Sequence, residues 1–282
     1  MDANSAIAYG WCPDVPDFRD FPGHAISVDP TLDIAPSKVD LQEEGLEPRG
    51  ISAGGIHASC AFVIVSAIDW QSRKLTGHSI DASASFLHRM TIQIAGGGGL
   101  QGVSLRSTLR ILTQFGSPPE HLWPSTTDYF SFPPTAPELF CYSRPFHFLR
   151  YVRLDGWEQN PQQKLWSIRN WIASGNICVI GFSVPQSLFA SHSDVIPFDP
   201  NRGGSAGGTA CIVMGYDDEL RLPFPANHPQ VSERNWSSGA FRVKTCWGNS
   251  WGDNGYGWLP YAFIESQFAR DAWAMPSAQW TS

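Results

Sequence analysis

Cys60 ends the segment Gly54-Gly-Ile-His-Ala-Ser-Cys60, where a loop gives way to an apolar run of helical length. Its thiol is therefore expected at the positive end of a helix dipole, which favours thiolate over thiol and suits a nucleophile. A nucleophile alone does not hydrolyse an amide. The reaction also needs a base and acid to carry the proton and donors aimed at the developing oxyanion. Other chemically suggestive spacings are weaker. Gly248-Asn-Ser-Trp-Gly252 has the Gly-x-Ser-x-Gly form of a hydrolase nucleophile elbow, but it stands among Trp, Gly and Asn rather than between a strand and a helix. Gly96-Gly-Gly-Gly99 lacks the Lys-Ser/Thr that completes a phosphate loop and reads as a turn. The six cysteines (Cys12, Cys60, Cys141, Cys178, Cys211 and Cys246) form no CxxC pair and no zinc-finger spacing. No metal and no cofactor is expected from them.

The elements that must position Cys60 follow from periodicity. The run 60–74 is apolar nearly all round, as a buried helix is; its β-branched residues would also suit a strand, but its length favours helix, ending before Gly77. A second helix is expected over 104–115, with Leu105, Leu109, Leu112 and Phe115 on one face and Gly116-Ser-Pro-Pro as its stop. A third runs over 161–173, with Asn160 as N-cap, Pro161 at the first helical position and Leu165, Ile168 and Ile172 facing inward. The stretches 177–184, 209–216 and 240–247 read as strands, and 39–41 as a first, short one. Residues 1–50 are rich in Pro and Asp with little periodicity. Helices thus concentrate in the first half and strands in the second, which predicts an α+β protein.

Composition narrows the function classes. A chain of 282 residues, 42% apolar, has enough material for one large domain or two packed lobes. A net charge of -7 without a Lys/Arg-rich run argues against a nucleic-acid partner. The amino terminus has neither a basic start nor a long apolar run, so no signal peptide and no membrane partner are expected. The expected location is cytoplasmic, where thiols stay reduced. In that compartment Asn235-Trp-Ser carries no meaning as a glycosylation site.

The segment around Cys60 resembles the active-site stretch of papain-like cysteine peptidases, which read roughly Gln-Gly-x-x-Gly-Ser-Cys before a helix. Gly207-Gly-Thr-Ala-Cys-Ile-Val-Met-Gly-Tyr-Asp-Asp218 and Val243-Lys-Thr-Cys-Trp-Gly-Asn-Ser-Trp-Gly-Asp-Asn-Gly-Tyr256 resemble two later blocks of that family, in the right order. Tyr9-Gly-Trp, Asp17-Phe-Arg-Asp20, Leu122-Trp-Pro and Tyr151-Val-Arg-Leu-Asp155 are similar to its bacterial-type branch. The resemblance implies a single papain-like domain over 1–282 with two lobes and a cleft between them. About 50–150 would form the mainly helical lobe, and about 1–49 with 151–282 the mainly β lobe. It implies that Gly102, Gly208, Trp247 and Trp251 border the cleft.

Residue by residue, the resemblance departs where catalysis is done. Cys60 matches the nucleophile, but Thr209 stands at the catalytic histidine's position, Thr245 at that of the orienting asparagine, and Gly54 at that of the oxyanion glutamine. A threonine hydroxyl is neither acid nor base near neutral pH, and losing one member of such a unit costs on the order of 10⁴ to 10⁶ in turnover. Without an ion-pair partner the Cys60 thiol returns toward an ordinary pKa of about 8.5, lowered somewhat by the helix end. His57 and His192 are alternative bases. Cys211, on the face of Thr209 by strand alternation, could contribute to a thiol cluster with Cys246. Three functions are open at this point. One is a pseudopeptidase whose cleft binds a peptide, an acyl-carrier-bound group or a small molecule. The second is Cys60-dependent acyl transfer or condensation on an activated thioester. The third is a divergent peptidase with a relocated base. Cys60 as an inert core residue is the plain alternative to any chemistry.

Overall fold

A computed structural model of the chain describes residues 9–20, 35–42, 46–48, 57–95, 102–124, 141–142, 146–147, 149–190, 193–198, 205–223 and 236–276. Gly54, His192, Asn235 and the Gly96–Gly99 run lie outside the described residues.

Helix α1 spans Ser59–Thr76, and every residue from Ser59 to Ser72 is buried, as its all-round apolar sequence requires. Its β-branched residues do not turn it into a strand, because tertiary burial on all sides outweighs a small propensity deficit. Gly77 ends it in the left-handed region, where a residue without a Cβ is unstrained, and donates its N–H to the Arg73 carbonyl. Helix α2, Ala84–Ala95, is not singled out by the pattern reading. It starts where the Ser83 hydroxyl accepts the Phe86 N–H at 3.1 Å, and it buries Phe86, Leu87 and Met90. Helix α3, Leu105–Phe115, is capped by Ser104 and turned inward through Leu105, Leu109 and Leu112, while Phe115 is only half-buried. Helix α4, Pro161–Ala173, opens with a reciprocal capping box between Asn160 and Gln163.

The strands are β1 Lys38–Asp40, β2 Val152–Arg153, β3 Cys178–Pro185, β4 Ser205–Pro223, β5 Trp236–Thr245, β6 Tyr256–Pro260 and β7 Ala269–Ala274. They form one antiparallel sheet in the order β2-β7-β3-β4-β5-β6, with β1 added alongside the far half of β4. The architecture is α+β, as expected from the segregation of patterns, and α4, the helix expected over 161–173, packs against β3 and β4. A short helix α5, Ala262–Glu265, follows β6.

Register decides what shares a face near the site. Cys211 of β4 pairs with Thr245 of β5, and Thr209 pairs with Phe182 of β3. Side chains alternate along a strand, so Thr209, Cys211 and Thr245 lie on one side of the sheet. The start of α1 is fixed to that region by a hydrogen bond from the Ala210 N–H to the Ser59 hydroxyl at 3.2 Å. None of the described helices is long and apolar enough to cross a membrane.

Candidate functional site

Cys60 lies at the second residue of α1, where the first N–H groups of a helix have no partner within it. Ala58, at the cap position, offers no side-chain acceptor. The Tyr9 carbonyl takes that role, accepting the Ser59 N–H at 3.1 Å. Cys60 itself is completely buried. Its sulfur donates to the carbonyls of Val103 at 3.3 Å and Gly10 at 3.7 Å. Acceptors on both sides stabilise S–H and oppose a thiolate. Burial raises the pKa well above the ordinary thiol value, and Cys12, Asp14, Cys246 and Asp271 add to the rise. This corrects the expectation of a helix-lowered pKa. A helix terminus contributes roughly 0.3–1 kcal/mol, rarely 2, whereas desolvating a thiolate in an apolar site costs more.

The cover over Cys60 is residues 9–12. Their main chain runs between the lobes and bonds to both. The Gly10 and Trp11 N–H groups donate to the Gly208 carbonyl at 2.9 and 3.1 Å; the Val103 N–H donates to Gly10, and the Cys12 N–H donates to Val103, at 2.8 and 3.1 Å. The strap is kinked rather than extended at Gly10, whose φ of 122 lets two successive N–H groups reach one carbonyl. The cleft walls are glycine because the strap passes at contact distance. A Cβ on Gly208 would stand 2.2 Å from the Trp11 carbonyl oxygen, and one on Gly102 would stand 2.7 Å from the Gly10 carbonyl carbon. Trp11 is itself buried.

Beyond residue 12 the strap is held by charge. Asp14, Asp17 and Asp20, spaced by three, reach Arg106 of α3 at 3.8, 3.4 and 3.1 Å. Asp14 also accepts the Arg106 main-chain N–H in the first turn of α3, a favourable place for an anion. On the sheet side, Arg153 of β2 meets Asp14 at 3.7 Å, Asp20 at 3.4 Å, Asp155 at 3.2 Å and Asp271 at 2.5 Å. Asp271 accepts the Asp14 N–H at 2.8 Å, and Asp14 accepts the Trp273 indole N–H at 2.8 Å. Burial opposes the charge on Arg153, but Asp155, Asp271 and Asp14 outweigh it and raise its pKa. Burial, with Asp14 and Asp155, pushes Asp271 up to about 7 against the pull of Arg153.

The remaining sequence candidates are placed as follows. Thr209 is buried and its hydroxyl bonds to the Cys246 sulfur, whose pKa burial nonetheless pushes up to about 12. Thr245 turns its hydroxyl onto the Gly255 carbonyl at 3.2 Å, within its own hairpin. His57 stacks obliquely on Tyr9, with ring centroids 5.6 Å apart, on the side of the buried His88 of α2. Trp247 and Trp251 meet edge to face at 4.6 Å. Cys60, Gly102 and Gly208 are therefore brought together by the strap, Thr209 and Thr245 lie on the sheet beside them, and Gly54 and His192 are outside the described residues. Among the described residues, no trio of His, Cys, Asp or Glu is arranged to hold a metal ion. The strap was missed by periodicity because main-chain bonds, not side-chain pattern, hold it; the signal present was the Asp14/Asp17/Asp20 spacing.

No protein-family model matches the chain. It is 22% identical over 177 residues to an uncharacterized peptidase C1-like protein of Acanthamoeba polyphaga mimivirus, a match covering 61% of this chain and 51% of that protein. The chain thus spans about half the length of that curated relative. Among solved structures it is similar to xylellain, a cysteine protease from Xylella fastidiosa, with a TM-score of 0.73 and 25% identity over 96% of this chain and 97% of the other. It is also similar to procathepsin L2 proteinase from Tenebrio molitor larval midgut, with a TM-score of 0.67 and 18% identity over 96% of this chain and 78% of the other.

Proposed function

On the premise that this chain has the papain-like cysteine protease fold, we propose that it is a pseudopeptidase: a protein that binds an extended peptide in its cleft and does not cut it. The observation that carries this reading is the state of Cys60, a buried thiol with two main-chain carbonyls within reach as acceptors for its one hydrogen. Amide hydrolysis requires the opposite, a thiolate with a base to receive its proton and an acid to protonate the leaving amine. Thr209, at the position the resemblance gives to the base, bonds to Cys246 instead and supplies neither. The strap supports the binding half of the proposal. Its bonds to Gly208 and Val103 are main-chain bonds, which a peptide with glycine at the place of Gly10 can make once the strap is displaced.

Two measurements on the purified full chain test this. Fluorogenic peptide substrates are expected to show no turnover that Cys60→Ala abolishes; such turnover would sink the proposal. Intact-mass labelling with a thiol-reactive probe is expected to modify the exposed Cys141 and leave Cys60 unmodified. Labelling of Cys60 at the rate of Cys141 would favour acyl-transfer chemistry over binding.

A further inference from the structure

A cavity of about 900 Å³ opens between α3, His147 with residues 149–152, and Trp273, on the outer side of the charged part of the strap. That size falls within the range of small-molecule sites, about 300–1,000 Å³. Four arginines line it, Arg19, Arg106, Arg110 and Arg150, against two carboxylates, Asp17 and Asp20. Both carboxylates are already engaged: Asp17 with Arg19 at 2.6 Å and Arg106 at 3.4 Å, Asp20 with Arg106 at 3.1 Å. Among the described residues no carboxylate pairs with Arg110.

Arg110 is also placed against local preference. It follows Arg106 by four residues on α3, and like charges at that spacing repel across one helical turn. Arg106 is compensated by Asp14, Asp17 and Asp20, so among the described residues it is Arg110 that adds positive potential beside the cavity, and that potential attracts anions. The inner wall is aromatic. Tyr151 and Trp273 meet edge to face at 5.6 Å, and Leu149 and Val152 flank them. Burial raises the pKa of the Tyr151 phenol, with Arg110 and Arg106 acting on it against Asp20 and Asp14, so the cation and the ring belong to one neighbourhood.

We propose that this cavity is a binding site for a small planar organic anion carrying two or more negative charges, its ring on Tyr151 and Trp273 and its charges on Arg110 and Arg150. Carboxylate and phosphate groups share this chemistry, since both accept paired guanidinium donors. The site is separate from the Cys60 cleft and does not depend on the reading of that cleft.

Isothermal titration calorimetry on the full chain tests the proposal with benzene-1,3,5-tricarboxylate, 1-naphthyl phosphate, inorganic phosphate and uncharged 1-naphthol. One or both aryl anions are expected to bind at least tenfold more tightly than inorganic phosphate or 1-naphthol, and the tighter of the two identifies the charged group preferred. Arg110→Gln and Arg150→Gln should each weaken that binding at least tenfold while the thermal unfolding midpoint, measured alongside, shows each variant folded, whereas Arg221→Gln on β4 should not weaken it. Absence of aryl-anion binding at millimolar concentration, equal binding of 1-naphthol, or unchanged affinity in Arg110→Gln would overturn it.

Discussion

The two halves of the strap are held by different physics. Residues 9–12 are fixed by main-chain hydrogen bonds to Gly208, Val103 and Ser59, with Trp11 buried beneath them. Residues 14–20 are fixed by carboxylates on Arg106 and Arg153, one from the helical side and one from the sheet. Main-chain bonds respond little to pH or salt, and here they select a residue type only at Gly10, whose φ of 122 and close approach to the His57 carbonyl exclude a side chain. Charges in a half-buried network respond to pH and select an acidic sequence. The first half therefore shows how the cleft can hold a peptide by its main chain, and the second shows why the chain's own segment occupies it.

Breaking the charged half at its centre has the largest expected effect. Arg153→Ala leaves Asp14, Asp155 and Asp271 buried around an empty position, which costs about 3–5 kcal/mol in chemical denaturation when one partner of a buried network is removed. Breaking the main-chain half costs less. Gly208→Ala places a methyl against the Trp11 carbonyl, an overpacking worth about 1–3 kcal/mol, and it should make Cys60 reactive toward the thiol probe where the parent chain is not. If Cys60 stays inert in Gly208→Ala while stability falls, residues 9–12 are not what seals it.

A pH titration separates the halves further. Asp271 is raised from 3.8 to about 7, so between those values the folded chain holds a proton that the unfolded chain has released. Its contribution to stability is then present at low pH and is lost as pH rises through about 7. Neighbouring carboxylates share the proton, so the expected loss is on the order of 1 kcal/mol. Asp271→Asn should remove that slope, and its positive φ of 62 is one that Asn tolerates. The smallest effect belongs to Asp17→Asn. Its Arg19 partner is mostly exposed and solvent screens that pair, while Arg106 keeps Asp14 and Asp20 when Asp17 is neutralised. Thermal unfolding should barely distinguish that variant from the parent.

The helices over 59–76, 105–115 and 161–173 were legible because apolar spacing, caps and stops agreed within each segment. Helix α2 has an inward face of Phe86, Leu87 and Met90, yet its cap is a single serine bond, and the glycine run that follows Ala95 reads as a turn without pointing to the helix before it. Strands β6 and β7 are short, and β6 lies within a Gly- and Trp-rich stretch that obscures alternation. At the site, the placement of Cys60 at a helix start was legible, but its protonation was not. A helix dipole is a local property, whereas burial is a sum over everything that packs nearby.

Residue types and order alone established an α+β chain, a cysteine at the head of a buried helix, and threonines at the two positions where the resemblance expects histidine and asparagine. The tertiary structure decided that this cysteine is a sealed thiol and that Asp14, Asp17 and Asp20 converge on arginines from both lobes. The reason is distance along the chain. Gly10 and Val103 lie some 40 to 50 residues from Cys60, and Asp14 lies more than 250 from Asp271, so no local pattern encodes their meeting. Only the closing of the sheet over the helices brings them within reach.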